Sequence, residues 1–331
     1  MFGNSAHGCG LDAAAQASVP VSEMDIRRPL YLFLANGRFV KRDLSTGFDT
    51  VLSEHGFNEA TSTVRSSDGR WLSYSGNIAH RNLTQYWLYD YVGGQDRLVL
   101  EHPSWGGSIP AFSPDGRYLA IAANYDTRWP DANAAGVYVI DTATLKRQRL
   151  DIPTKLPAVE TWASTEWSSD GSRLLLMTHG TLDGSYLREY WSWRPGARQA
   201  SQAEGRMVDD GPGVRHDAWF VEGKEVELHR QGGMRGRSVG GLLSTADGGW
   251  VASVDDNGIL RVAGKDGRLL QADKAPYDAC EGFSILPIGW IDSGHLVYRK
   301  PGGLVFIYEP STQHVSRLLG DDPARSYDFD W

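Results

Sequence analysis

The segment Phe112-Ser-Pro-Asp-Gly-Arg-Tyr-Leu-Ala-Ile121 points to the fold class of this 331-residue chain, because the same pattern returns along the sequence. Its Asp side chain can bond the backbone two residues on, and its Gly supplies the positive φ of a tight hairpin. The apolar residues on both sides are then expected to pair as antiparallel strands. A pattern that recurs in this way is the signature of a repeat architecture.

Four more copies of this pattern occur. They are Val64-Arg-Ser-Ser-Asp-Gly-Arg-Trp-Leu-Ser-Tyr74, Trp167-Ser-Ser-Asp-Gly-Ser-Arg-Leu-Leu-Leu176, Leu243-Ser-Thr-Ala-Asp-Gly-Gly-Trp-Val-Ala252 and the looser Trp290-Ile-Asp-Ser-Gly-His-Leu-Val-Tyr298. Successive intervals of 47, 55, 77 and 45 residues separate the turn aspartates, which are Asp68, Asp115, Asp170, Asp247 and Asp292. Three of these intervals have the length of one propeller blade.

A second pair of strand-like runs follows each copy, for example Gly136-Val-Tyr-Val-Ile-Asp141 and Lys146-Arg-Gln-Arg-Leu150. This gives four short strands per period. No stretch longer than about a dozen residues has an apolar period of 3.6, so helices should be scarce. The sequence therefore predicts an all-β chain, a β-propeller of four-stranded antiparallel blades.

The 77-residue interval is too long for one blade. Within it, Trp219-Phe-Val-Glu-Gly-Lys-Glu-Val-Glu-Leu228 resembles a degenerate copy with Glu222-Gly223 at the turn. Only 25 residues separate Glu222 from Asp247, too few for a complete blade. The spacing predicts seven blades with one abbreviated, and six blades remain the alternative.

The two chain ends predict a closing clasp. Phe329-Asp-Trp331 resembles the residues just before a repeated turn, and Leu30-Tyr-Leu-Phe-Leu34 resembles the strand just after one. One blade would therefore take its inner strand from the C-terminus, which removes a free sheet edge. We expect residues 1–28 to be a flexible N-terminal segment and residues 29–331 to form a single propeller domain.

The copy at Phe112 resembles the repeat of TolB-like propellers, which has an aromatic residue, Ser-Pro-Asp-Gly, two further residues and an aliphatic strand. The resemblance covers roughly residues 30–331, although Ser67, Ser169 and Ala246 replace Pro114 in other copies. Similar repeats occur in the propeller domains of prolyl oligopeptidase-type enzymes and in oligogalacturonate lyases, so the resemblance implies a fold more than a function. Because TolB-like propellers are often periplasmic, it also implies a periplasmic or secreted protein.

Composition excludes several classes of protein. The chain is 41% hydrophobic and 22% charged, and its 33 basic and 41 acidic residues give a net charge of −8. Its longest clean apolar stretches, at 30–35 and 304–308, are far shorter than the roughly 20 residues that span a bilayer. The acidic balance, without a Lys/Arg run, makes nucleic acid an unexpected partner. We expect a monomer without a transmembrane segment.

Cysteine usage leaves the cellular compartment open. Cys9 and Cys280 are too few for a disulfide framework or a four-thiolate zinc site. They could form one bond in an exported protein or remain two thiols in a cytosolic one. Residues 1–24 lack the basic and apolar regions of a signal peptide, so the protein either is not exported or has lost a leader.

Catalytic motifs are missing from the sequence. The spacing Gly-x-Ser-x-Gly occurs at 236–240, but without the α/β pattern that a nucleophile elbow requires. There is no Gly-Lys-Ser/Thr phosphate loop, no His-Glu-x-x-His and no Asp-x-Asp-x-Asp-Gly calcium loop. The sequence therefore favours a non-enzymatic propeller without a cofactor. We expect it to bind a protein partner or a small ligand through loops on one rim.

The rim opposite the Asp-Gly turns should carry the binding site, because the loops after the second and fourth strands of each blade lie there. The longest such insertion is 124–133, and its Arg and Trp are types enriched in binding hot spots. The predicted binding residues on this rim are Trp105, Asn124, Tyr125, Asp126, Arg128, Trp129 and His179.

A second hypothesis comes from the resemblance to oligogalacturonate lyases, which use a metal held largely by histidines. It implies a metal-dependent carbohydrate lyase or hydrolase with ligands on the same rim. Its candidate metal ligands are His80, His102, His179 and His216.

Overall fold

A computed structural model provides the structure of the protein. It describes residues 19–33, 38–55, 57, 59–78, 83–102, 110–123, 136–156, 162–211, 214–229, 243–245, 247–255, 257–277, 284–301, 304–319 and 328–330.

The repeated turns are closed by local side-chain hydrogen bonds. In the Phe112 copy, the Ser113 hydroxyl donates to Asp115 Oδ1 at 2.6 Å and accepts the Tyr118 N–H at 2.9 Å. The same carboxylate oxygen accepts the Arg117 N–H at 3.1 Å. Gly116 has a φ of 69°, a left-handed conformation that few other residues adopt at low cost. The sequence of the turn therefore contains every donor and acceptor that closes it.

Three other copies repeat this network. Each has a buried hydroxyl two residues before the aspartate, in the pairs Ser66 and Asp68, Ser168 and Asp170, and Thr245 and Asp247. In each pair the hydroxyl also accepts the backbone N–H of the residue five positions later. The predicted turns are confirmed at these positions.

The chain divides into two compact units. The N/C unit comprises Met1–Leu34, Phe39–Val51 and Met234–Trp331. Its first sheet has the order β26-β1-β2-β3 and combines β1 (Leu30–Phe33), β2 (Arg38–Arg42), β3 (Asp49–Glu54) and β26 (Asp328–Asp330). Its other two sheets contain β18 (Leu243–Ser244), β19 (Trp250–Val254), β20 (Ile259–Gly264) and β21 (Leu269–Lys274), then β22 (Leu286–Trp290), β23 (Leu296–Lys300), β24 (Leu304–Glu309) and β25 (His314–Leu319).

The middle unit comprises Ala35–Arg38 and Leu52–Gly233. Two of its sheets have four strands each, β4 (Glu59–Arg65), β5 (Trp71–Ile78), β6 (Leu83–Asp90) and β7 (Gln95–His102), then β8 (Ala111–Phe112), β9 (Tyr118–Ala123), β10 (Gly136–Asp141) and β11 (Arg147–Arg149). The third has six strands, β12 (Trp162–Trp167), β13 (Leu174–Leu182), β14 (Ser185–Trp193), β15 (Ser201–Gly211), β16 (Val214–Val221) and β17 (Lys224–Glu225).

The chain is all-β, as predicted. In the described residues, every named strand pair is antiparallel. Within each sheet, neighbouring strands are consecutive in sequence, except where β26 joins β1. The helical content of these residues is one 3-10 turn, Val21–Glu23, so none of their helices is long and apolar enough to span a membrane. Consecutive four-stranded antiparallel sheets of this kind are typical of propeller blades.

The C-terminal strand completes the first sheet. β26 pairs with β1 so that Leu32 lies opposite Phe329 and Tyr31 lies opposite Asp330. The predicted clasp also included Trp331, which lies outside the described residues.

The degenerate copy forms a hairpin, with a turn at the predicted position. Glu222 and Gly223 have φ values of 55° and 75° between β16 and β17. The hairpin does not begin a separate four-stranded sheet, because the long strand β15 pairs with β14 through residues 201–203 and with β16 through residues 204–211.

Tryptophans at the ends of inner strands connect neighbouring sheets within each unit. In the middle unit, the fully buried Trp167 indole donates from β12 to Ala111 O in β8 at 3.0 Å. In the N/C unit, Trp290 donates from β22 to Leu243 O in β18 at 3.1 Å. Trp167 and Trp219 are almost fully buried, whereas Trp290 is partly buried against the core of its unit.

The N-terminal stretch 19–28 differs from the expected flexible segment. Met24 and Ile26 are buried in the core formed with β1, β2 and β23–β25. The Val19 N–H bonds Val315 O at 3.4 Å, and the Ser316 hydroxyl donates to Val19 O at 2.7 Å. Apolar side chains at alternate positions therefore attach this stretch to the sheets. Residues 1–18 lie outside the described residues.

Candidate functional site

Most of the predicted rim residues lie outside the described residues. This holds for Trp105, Asn124, Tyr125, Asp126, Arg128 and Trp129. His179 is described, but it lies within strand β13 and not in a loop. The candidate site is therefore built around the hairpin that carries His179.

The hairpin of β13 and β14 is long and tightly turned. Its strands pair from Leu174 opposite Trp193 to Leu182 opposite Ser185. The turn residues Asp183 and Gly184 have φ values of 50° and 78°, as a two-residue type I′ turn requires. An Asp-Gly pair suits this turn because both residues tolerate the left-handed conformation.

The outer half of this hairpin extends past its neighbours. β12 reaches β13 only as far as Trp162 opposite His179, and β15 pairs with β14 only across residues 190–192. Within the described part of the chain, residues 180–187 therefore have no further strand alongside. We call this segment, with His179 and Arg188 at its base, the rim hairpin.

One face of the hairpin is fixed to the preceding sheet. Its apolar side chains, Leu174, Leu176, Trp191 and Trp193, pack in a core with Ala111, Ala120 and Val139. Further out, Thr178 accepts the Trp191 indole N–H at 3.0 Å. Glu189, opposite Thr178, is 9% exposed and accepts the Thr154 hydroxyl and the Lys155 N–H. A buried carboxylate needs such donors, so these bonds set the position of the hairpin.

The other face of the rim hairpin carries an aromatic and basic cluster. His179 lies directly opposite Arg188, and Thr181 lies opposite Tyr186, so all four residues share one face. The His179 and Tyr186 ring centroids are 5.8 Å apart, and the Arg188 guanidinium carbon lies 5.9 Å from the Tyr186 ring centroid. Tyr186 is 63% exposed. Tyr and Arg combine large contact area with directed hydrogen bonding, which suits a binding surface.

The base of this face is closed by aromatic packing. Tyr190 and Trp219 meet edge to face with centroids 5.8 Å apart, beside the buried Met177. β15 passes close over Tyr190 because residue 205 is glycine, and any Cβ there would collide with the Tyr190 ring. The result is a rigid apolar floor below the His179, Tyr186 and Arg188 cluster.

Sequence reasoning missed Tyr186 and Arg188 although a signal was present. Asp183-Gly184 stands between two strand-like runs, which is a strong hairpin pattern. That pattern places the residues after the turn on β14 and opposite His179.

The predicted metal ligands are not brought together among the described residues. His102 is buried at the end of β7 opposite Thr84, and His179 lies in β13 of another sheet. His216 is on β16 opposite Val208, and His80 lies outside the described residues. In the described ranges, no group of three or more His, Cys, Asp or Glu side chains is placed to hold a metal ion. The metal-dependent hypothesis stays a prediction.

Comparison with known proteins finds likeness only among solved structures, because no protein-family model and no curated protein matches the chain. TolB from Acinetobacter baumannii matches with a TM-score of 0.41 and 15% identity, over 91% of this chain and 66% of that chain. The β-propeller domain of the Trilobed protease from Pyrococcus furiosus gives 0.46 and 13%, over 90% and 96%. An oligogalacturonate lyase in complex with manganese gives 0.37 and 14%, over 80% and 68%. The chain thus spans just under two thirds of the length of that TolB.

Proposed function

We propose that residues 29–331 form one TolB-like β-propeller whose blades are the six sheets, closed where β26 joins β1. The hairpin of β16 and β17, with the second half of β15, is an abbreviated seventh blade. The support is the repeated turn network and the common antiparallel order of the sheets. A six-blade ring, with these strands as an extension of one blade, is the alternative.

The propeller is a non-enzymatic binding protein, and its binding site is on the rim opposite the repeated Asp-Gly turns. The observation that supports this most is the rim hairpin, fixed on one face by Glu189 and presenting His179, Tyr186 and Arg188 on the other. A fixed scaffold binds without ordering its own loops, which lowers the entropy cost of association. The occupant is a protein partner or a small ligand.

The chemistry of the cluster defines what it selects. The Arg188 guanidinium offers several N–H donors and suits a carboxylate or another planar anion. The exposed Tyr186 ring offers a flat apolar surface and a hydroxyl. The occupant therefore carries an anionic group next to an apolar one.

A quantitative pull-down from a native-host extract tests this function. The bait is the tagged full chain, compared with the double variant Tyr186→Ala/Arg188→Ala. We expect the double variant to capture at least about tenfold less of a specific partner. Truncating two hot-spot side chains should weaken the binding free energy by more than about 1.4 kcal/mol. A small ligand would be found by the thermal stabilisation that it gives wild type and not the variant.

The matched control is Tyr277→Ala/Arg27→Ala, because both side chains are highly exposed and lie in the N/C unit. Thermal unfolding should be the same for all three proteins. Equal capture by the rim variant and wild type would exclude this hairpin as the binding site.

A further inference from the structure

The fifth repeated turn, in the N/C unit, differs from the other four. Asp292 Oδ1 accepts the Gly294 N–H at 2.8 Å, and the Asp292 carboxylate also contacts His295 Nδ1 at 2.8 and 3.0 Å. Since a carboxylate can only accept, Nδ1 carries the hydrogen. In the neutral ring, Nε2 is then the lone-pair nitrogen.

His295 Nε2 is buried and has no hydrogen-bond partner among the described residues. The His295 side chain is only 8% exposed. The Glu309 carboxylate faces it with Oε1 at 4.0 Å, too far for a hydrogen bond. A buried acceptor without a donor costs free energy, so this arrangement calls for a group between the two atoms.

Glu309 is held in place for such a group. Its Oε1 accepts the Ser311 hydroxyl at 3.1 Å, and its Oε2 accepts the Thr312 hydroxyl at 2.7 Å. Its side chain is 20% exposed.

We propose that His295 Nε2 and Glu309 Oε1 bind a divalent transition-metal ion, with Zn²⁺ as the best match. Zinc bonds to His nitrogen and carboxylate oxygen are about 2.0 to 2.2 Å long, so the two donors can be at most about 4.2 Å apart. The observed 4.0 Å lies within that reach. Tetrahedral coordination needs about 3.4 Å, so metal binding requires the two donor atoms to approach each other by about 0.6 Å.

Asp292 acts through His295 and is a positioning residue. A metal-bound histidine almost always donates its second ring N–H to a carboxylate, which sets its tautomer and raises its basicity. The contact between Asp292 and His295 Nδ1 already has this form. Water completes the coordination, because the described residues supply only two protein donors here. Imidazole with carboxylate favours zinc over calcium or magnesium, which prefer oxygen ligands alone.

Metal titration of the full chain tests this site. The protein is treated with a chelator, dialysed, and titrated with Zn²⁺ by calorimetry and with Co²⁺ by visible absorption. We expect one ion per chain in wild type and its loss in His295→Gln and in Glu309→Gln. Asp292→Asn should keep the stoichiometry but weaken binding by about 10- to 100-fold.

His314→Gln is the matched control, since His314 is exposed and lies opposite Glu309 in register. It should bind as wild type does. Wild type without binding at 1 mM Zn²⁺, unchanged binding in folded His295→Gln, or loss of the ion in His314→Gln alone would each overturn the proposal. Circular dichroism confirms that each variant is folded.

Discussion

The turns at Asp115 and Asp292 occupy equivalent places in their sheets but use their carboxylates differently. At Asp115, one oxygen accepts the Ser113 hydroxyl and the Arg117 N–H, so the turn itself uses that oxygen. At Asp292 no hydroxyl precedes the turn, and the carboxylate holds the imidazole of His295. The turn is also one residue shorter, closing from the Ile291 N–H to His295 O.

This difference separates structural residues from functional candidates. A polar group whose hydrogen bonds all stay within its turn contributes to stability and has nothing left for a ligand. His295 Nε2 is buried and has no hydrogen-bond partner in the described residues. This costs free energy unless a ligand binds there. A copy that has lost the repeat pattern therefore indicates a functional candidate better than a copy that keeps it.

The largest expected contrast is at the turn glycines. Gly116 has a φ of 69°, and a Cβ there would lie 2.8 Å from the Asp68 carboxylate. Gly116→Ala should lower the free energy of unfolding by about 2 to 3 kcal/mol, measured by urea denaturation. Gly294 is not left-handed and has only Asp292 Oδ1 nearby, at 3.6 Å. Gly294→Ala should therefore change stability by less than about 0.5 kcal/mol, and equal losses would contradict the contrast.

The next effect concerns the buried hydroxyl of the common turns. Ser168 donates to Asp170 and accepts the Arg173 N–H, so Ser168→Ala leaves both without this partner. We expect a loss of about 1 to 2 kcal/mol in the free energy of unfolding. Ser172→Ala is the control, because the exposed Ser172 hydroxyl bonds the same carboxylate from the surface. If Ser172→Ala lowered the free energy of unfolding as much as Ser168→Ala, burial of the hydroxyl would be shown to be unimportant.

A smaller effect is expected in the pH dependence of stability. Hydrogen bonds from the Ser168 hydroxyl and the Ser172 N–H hold the pKa of Asp170 below its usual value. A carboxylate with a lowered folded pKa stabilises the fold above its unfolded pKa, near about 3.9, and loses that contribution as the pH falls further. The free energy of unfolding should thus fall less between pH 5 and pH 2.5 in Ser168→Ala than in wild type. Identical slopes would show that this bond does not set the pKa.

The smallest effect distinguishes the four common turns from one another. The Ser169 N–H donates to Glu227 O at 2.8 Å. Ser169→Pro removes this hydrogen bond and should lower the free energy of unfolding by about 1 kcal/mol. The turn at Ser67 has the same closing bond as the one that contains Pro114. Ser67→Pro loses the exposed hydrogen bond between the Ser67 hydroxyl and His229 Nε2, 2.9 Å long, which contributes little to stability. It should still raise the free energy of unfolding, by up to about 0.4 to 1 kcal/mol, because proline restricts the unfolded chain. Thermal melting of both variants checks the opposite signs.

A second recurring turn shows that more could have been predicted from sequence. Asp43 accepts the Ser45 N–H at 2.8 Å, and Asp141 accepts the Thr144 N–H at 2.9 Å, each between the third and fourth strands of a sheet. These are Asx-type bonds within four residues, and their sequence signal is an Asp followed by Ser or Thr. These turns were therefore predictable from the sequence, although the repeated Asp-Gly pattern does not include them.

The location of the rim hairpin was partly accessible to sequence reasoning. His179 was predicted as a rim residue from the repeat pattern, but its place within β13 depends on pairing with β14. Among the described residues, β12 and β15 pair with only the inner part of the hairpin, and Tyr186 lies beyond them and is exposed. Strand length in a sheet depends on its neighbours, which no local pattern contains.

The amino-acid sequence by itself determined the repeated turns, their Asp and Gly chemistry and the all-β class, because the hydrogen bonds involved join residues at most five positions apart. Tertiary structure alone decided which distant side chains meet. The burial of Met24 and the 4.0 Å gap between His295 and Glu309 depend on strand register and on packing between strands. Each such contact is made by the folded chain as a whole, so its partners cannot be identified from the neighbouring residues.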